Sequence, residues 1–176
     1  MRSKIISFII GGFIGFLIWS AQVKAWATPI GYLELKQYEI KDPEGYMEEY
    51  YVDIPNEISE VCEKYGAEYN ICPEILEALV WRESRCTDVS NGNCKGYAQV
   101  NEHIHKDRMD SLGIKDIHDL DGNIHVATDL LSDLYDDTGN VAKSLDKYNG
   151  NKQNGNSGYA KQIMTVAYCL DRVGGD

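Results

Sequence analysis

Between Gly122 and Gly139 the chain reads GNIHVATDLLSDLYDDTG, in which Ile124, Ala127, Leu130, Leu131, Leu134 and Tyr135 recur at spacings of mostly three and four. Only an α-helix lines such residues along one face, and Gly139 supplies its stop. IPNEISEVCEKYGAEYN follows the same rule, with Pro55 at a first-turn position and Ile58, Val61, Cys62 and Tyr65 on one side. CPEILEALVWRES repeats it, starting at Pro73, carrying Ile75, Leu76, Leu79 and Val80 on one face, and ending near Ser84. NVAKSLDKY reads as a short helix and YAKQIMTVAYCLDR as a last amphipathic one. Tyr148 to Gly158, YNGNKQNGNSG, is too dense in Asn and Gly to hold a regular element. The stretch up to about Leu120 is irregular, and no useful alternating apolar run exists outside a possible short strand at Tyr97 to Val100. The expected fold is mainly α, with no internal repeat.

A chain of 176 residues suits one domain with some excess at its ends. Residues 1–27 place Arg2 and Lys4 before an unbroken apolar block from Ile5 to Trp19 and end on Ala25-Trp26-Ala27, the pattern of a secretory signal peptide. Ser20 to Val23 would extend the block into an uncleaved membrane anchor, so removal and retention both stay open. Residues 28–53, acidic and tyrosine-rich with no clear period, read as a linker or peripheral arm, and residues 54–176 as the domain.

Export would give the five cysteines an oxidising surrounding. Cys86 and Cys94 are the expected disulfide pair, closing a small loop over TDVSNGN; Cys62, Cys72 and Cys169 are left with no assignable pairing. Removing the first 27 residues, which hold three basic and no acidic side chains, takes the formal charge from −11 to −14. Nucleic acid is excluded as a partner on that ground, since a phosphate polyanion would be repelled and no basic stripe is present.

The informative segment is ALVWRESRCTDVSNGNCKGYAQVN, Ala78 to Asn101, where Glu83 closes a mostly apolar run. A carboxyl at the last turn of a buried helix meets the negative end of the helix dipole, and Leu79 and Val80 keep water from it. Both effects raise its pKa, as a general acid facing a poor alkoxide leaving group requires. The bland alternative is a surface glutamate paired with Arg82 or Arg85. Asp88 is the best candidate for a second carboxylate, which on the opposite sugar face would make an inverting hydrolase. HDLDGN has Asp119, Asp121 and Gly122 at calcium-loop offsets but lacks two ligands, with Ile117 and Thr128 in their places. His103, His105, His118 and His125 form no metal-ligand spacing, so no metal or cofactor is expected. Tyr97, Tyr148 and Tyr159 are sugar-stacking candidates or half-buried packing residues.

W-R-E-S-R, then K-G-Y-A-Q, then Y-N-G-N about fifty residues on, with G-N-I at Gly122 to Ile124, resemble in order and separation the signatures of the soluble lytic transglycosylase family. The resemblance runs from about Pro55 to Arg172 and implies a goose-type-lysozyme-like helical domain acting on peptidoglycan. It implies Glu83 as sole catalytic acid and base, and Ser84 as a hydroxyl beside substrate or intermediate. Gly96 would let the backbone approach the sugar, Gln99 would line the cleft with Tyr97 next to it, and Tyr148 with Asn149 would reach the acid from across the groove. Tyr97-Ala98 replaces the family's Leu-Met, and Asn151 stands where a glycine is usual. The implied reaction cleaves the β-1,4 bond between N-acetylmuramic acid and N-acetylglucosamine and leaves a 1,6-anhydro sugar. The expected partners are glycan strands and a secretion or conjugation complex, or a phage context. A muramidase, or an inactive wall-binding or assembly module, would fit the same shape.

Overall fold

The computed structural model describes residues 28–150 and 152–174. The proposed signal or anchor over residues 1–27 and the departure at Asn151 lie outside them. The described residues form eight helices and one small sheet: α1 (Tyr32–Leu35), α2 (Pro43–Tyr50), α3 (Asn56–Tyr69), α4 (Pro73–Ser84), β1 (Ser90–Asn91), β2 (Cys94–Lys95), β3 (Val100–Asn101), α5 (Lys106–Leu112), α6 (Leu120–Thr138), α7 (Val141–Tyr148) and α8 (Gly158–Val173). The protein is mainly α, as the periodicity requires. No helix among the described residues is long and apolar enough to cross a membrane.

Helix α4 is the centre. Ile75, Leu76, Ala78, Leu79, Val80 and Trp81 are all buried, so the apolar surface runs round most of the helix instead of one stripe. It packs between α3 and α8, while α6 lies against α3 and α7. Caps set the boundaries of the helices around it. The Asp119 carboxylate accepts from the Gly122 N–H at 2.9 Å and starts α6, while Gly139, at φ 61°, ends it. Asp121 bonds Tyr65 and Lys64, so the calcium-like HDLDGN stretch is a helix start tied to α3.

Between α4 and α6 the expected loop is more ordered than its composition suggests. β1, β2 and β3 form an antiparallel sheet with Asn91 opposite Cys94 and Lys95 opposite Val100. A two-residue turn opens on Gly92 at φ 60°. α5 then fills part of the stretch read as irregular.

Residues 28–53, read as a linker or arm, carry α1 and α2 and lie against the domain. Ile30 and Ile71 form a parallel bridge, Leu35 and Val52 are buried, and α2 packs on α8. The indole N–H of Trp81 donates to the Tyr51 carbonyl at 3.3 Å, which ties this segment to the central helix.

The expected Cys86–Cys94 disulfide is not formed; all five cysteines are free thiols. Direction explains it. Cys86, just past α4 at φ 60°, turns into the core within electrostatic reach of Cys62 on α3. Cys94, on β2, faces a cleft on the side of Tyr148. Burial pushes the Cys72 and Cys86 thiols up to about 12 and Cys169 to about 11, so they are poor nucleophiles at neutral pH.

Candidate active site

A cleft of about 540 Å³ opens beside the end of α4. Glu83 forms part of its wall, the β-sheet contributes Asn91, Cys94 and Val100, the turn before β3 contributes Gln99, and the end of α7 contributes Tyr148 and Asn149. Three distant stretches of the sequence meet here: the E-S helix end, the G-Y-A-Q segment and the Y-N loop.

Glu83 is held in place by its neighbours. The Tyr159 hydroxyl, from the first turn of α8, donates to Glu83 Oε1. Burial raises the Glu83 pKa above the ordinary carboxyl range, while the Tyr159 hydrogen bond and the nearby Arg82 charge pull it partly back. Neither arginine forms an ion pair with Glu83 among the described residues. The Arg82 guanidinium lies over the Tyr159 ring at 5.4 Å and that of Arg85 over the Trp81 ring at 3.7 Å. The helix ends sharply because Arg85 and Cys86 both take left-handed backbone, with φ of 58° and 60°.

Tyr148 does not hydrogen-bond Glu83. Its hydroxyl donates to the Ala98 carbonyl at 2.8 Å, joining the Y-N loop to the G-Y-A-Q segment across the floor of the cleft. Burial and the Glu83 charge both raise the Tyr148 pKa well above the usual phenol value, so this hydroxyl stays protonated. The tyrosine that reaches the acid is Tyr159. In sequence it reads as a sugar-stacking candidate or a packing residue at the start of an amphipathic helix, and nothing local marks it as a partner of Glu83.

Ser84 is buried, with its hydroxyl donating to the Val80 carbonyl and accepting from the Thr87 N–H, both at 3.2 Å. It is committed to the turn after α4 and does not line the cleft. Gly96 likewise serves packing more than sugar approach. At φ 75°, a Cβ added there would lie 2.1 Å from Asn123 Nδ2. Asn123, fully buried on α6, accepts from the Ala98 N–H at 2.7 Å and donates to the carbonyls of Lys95 and Ile117. One amide therefore holds the whole segment, and the G-N-I triplet lies inside the first turn of α6. Gln99 does line the cleft, at φ 50°, its amide donating to the carbonyls of Val89 and Gly96. Tyr97 packs on the core instead.

Asp146 and Ser157 fix the far wall. Asp146, 1% exposed, accepts from the Gly155 N–H at 2.7 Å and from the Ser157 hydroxyl, and Ser157 in turn caps α8. That chain of bonds sets α7, with Tyr148, against α8, with Tyr159. Asp88 is turned away, paired with His118 Nδ1 at 2.7 Å, and does not line the cleft. Among the described residues no group of three or more His, Cys, Asp or Glu side chains is placed to hold a metal ion. The cleft also takes in Ile104, His105, Leu130 and Lys147, none of them marked by a motif.

Comparison with curated proteins and with solved structures gives no match. A family model described as Transglycosylase SLT domain matches residues 60–163, more than half the chain. The protein therefore belongs to the transglycosylase SLT-domain family, a lysozyme-like helical group whose members are typically lytic transglycosylases acting on peptidoglycan.

Proposed function

We propose that this protein is a lytic transglycosylase that cuts the β-1,4 bond between N-acetylmuramic acid and N-acetylglucosamine. Glu83 protonates the glycosidic oxygen, the muramic 2-acetamido group assists at the anomeric carbon, and the resulting Glu83 carboxylate takes the proton from the C6 hydroxyl. The C6 oxygen closes on the anomeric carbon, giving a 1,6-anhydro end. Glu83 begins and ends protonated, so one carboxyl suffices. The observation that carries this reading is that Glu83 is the one carboxylate lining the cleft among the described residues, desolvated and anchored by Tyr159. Two-carboxylate hydrolysis would need a second acid in the cleft. Tyr159 acts as a positioning residue for the acid, and Gln99, Tyr148 and Asn149 shape the cleft for the glycan, with Ser84, Gly96 and Tyr97 supporting from behind.

The use of such an activity, on this reading, is local opening of the wall by an exported chain, for a secretion or conjugation machine or a phage. The apolar leader of residues 1–27 motivates the export proposal.

Purified protein incubated with murein, followed by mass analysis of the soluble muropeptides, tests the reaction. Anhydro ends support it. Reducing ends mean a hydrolase, and no release means a binding module. Glu83→Gln is expected to reduce release at least about a thousandfold, within the range of general acid–base contributions; a variant that keeps its activity removes Glu83 from the mechanism.

A further inference from the structure

The chain carries 28 acidic and 17 basic residues, yet three lysines gather in a hollow that adjoins the cleft. Lys143 and Lys147 lie one helical turn apart on α7, and Lys152 follows in the Asn/Gly-rich loop. Together with Thr138, Asp146 and Asn154 they line a second depression of about 240 Å³. Lys147 lines both hollows, so the depression adjoins the cleft that holds Glu83, with this side chain between them.

The opposing charges are few. The Asp146 carboxylate is occupied by the Gly155 N–H and the Ser157 hydroxyl, and Asp137 stands 3.5 Å from Lys147 on the exposed end of α6. Neither Lys143 nor Lys152 has an ion-pair partner among the described residues. The Lys143 stem rests against Gly155, where an added Cβ would lie 3.3 Å from Lys143 Cγ, so this lysine is held by packing as well as by its helix.

We infer that this basic depression binds the carboxylates of the peptide stem that hangs from muramic acid beside the bond being cut, making stem-bearing strands the preferred substrate. The inference rests on the glycan reading of the cleft. While the stem is attached, the lactyl carboxyl of muramic acid is tied up in its amide and the sugar backbone is uncharged, so the carboxylates that reach a cluster of cations beside the cleft are those of the stem. The stems supply one or more carboxylates per disaccharide, attached on the muramic side of the scissile bond. A net positive hollow on an acidic protein also gives the approaching strand a unique attractive end, which fixes direction in the cleft.

The test uses the full-length chain carrying Glu83→Gln, so that strands are bound and not cut. Fluorescence anisotropy compares labelled glycan strands bearing stems with the same strands stripped by an amidase and then amidated at the freed lactyl carboxyls, which leaves the sugar chain uncharged. About tenfold tighter binding of stem-bearing strands at low salt is expected, with that ratio falling toward one in Lys143→Gln/Lys152→Gln and retained in the double Arg variant. Equal affinity for the two strand types, a ratio untouched by the Gln changes, or no binding of either strand overturns the proposal. So does equally tight binding of stripped strands that carry teichoic-acid phosphodiesters, which would assign the hollow to phosphate. If the ratio holds while unmutated protein releases no anhydro product from murein, the hollow stands and the transglycosylase reading fails. If anhydro product forms with a ratio of one, the reverse is true.

Discussion

On the proposed reading the chemistry rests on a single side chain, Glu83, whose surroundings pull its pKa in two directions. Burial favours the neutral acid, while the Tyr159 hydroxyl and Arg82 favour the carboxylate. Tyr159→Phe removes a donor to the charged form, so the Glu83 pKa rises further and the alkaline limb of the kcat profile moves to higher pH. Turnover falls about tenfold because the carboxyl loses its anchor. A limb that stays put or moves down would mean that Tyr159 does not act through the acid. Linkage gives a second readout. Because its pKa is raised on folding, Glu83 is neutral to stability below its unfolded value and costs stability as pH rises through its folded value. Glu83→Gln should therefore melt higher than the parent protein in alkaline buffer and equally below about pH 4, by scanning calorimetry. Glu83 was legible in the sequence because a carboxyl at the end of an apolar run is a local pattern. Tyr159 was not, since its partner lies 76 residues away and the contact exists only once α8 packs on α4.

Among the elements, the G-Y-A-Q segment depends most on a neighbour. Its backbone groups satisfy themselves on the Asn123 amide, and Gly96 leaves the room that amide needs. Asn123→Ala leaves one buried N–H and two carbonyls without partners and is expected to cost about 3 kcal/mol. Gly96→Ala combines a contact at 2.1 Å with a left-handed backbone, for a similar loss of about 3 kcal/mol. Urea unfolding of both variants checks this, and a loss under about 1 kcal/mol in each would show that the segment is held some other way. The helices were readable from period three-and-four spacing because burial on one side imposes it, and α4 and α6 end at Ser84 and Thr138, where the sequence reading stops them. Of the short strands, the one expected at Tyr97 to Val100 meets β3 only at Val100, and β1 and β2 were not readable because two-residue strands leave no period to detect. The cysteine pair misled for a related reason: closeness in sequence says nothing about direction, and a left-handed step at Cys86 sends it to the core while the hairpin turns Cys94 to the cleft.

At the level of the whole molecule, the family match covers residues 60–163, while α1 and α2 lie before it and still close the core. Burying Leu35 and Val52 contributes roughly 4 kcal/mol, a substantial part of the marginal stability of a domain this size. Deleting residues 28–53 is therefore expected to lower Tm by about 10 °C in a circular dichroism melt, and an unchanged Tm would make the segment an ornament. Its attachment has a geometric result as well. Ile30 is stitched to Ile71, beside the first residue of α4, whereas Glu83 is at the other end of that helix, about 15 Å along its axis. Thr28, whose carbonyl accepts from the Asn70 amide, therefore sits at the opposite end of this short rod from the carboxyl, and a label or fusion placed there would stay clear of the cleft.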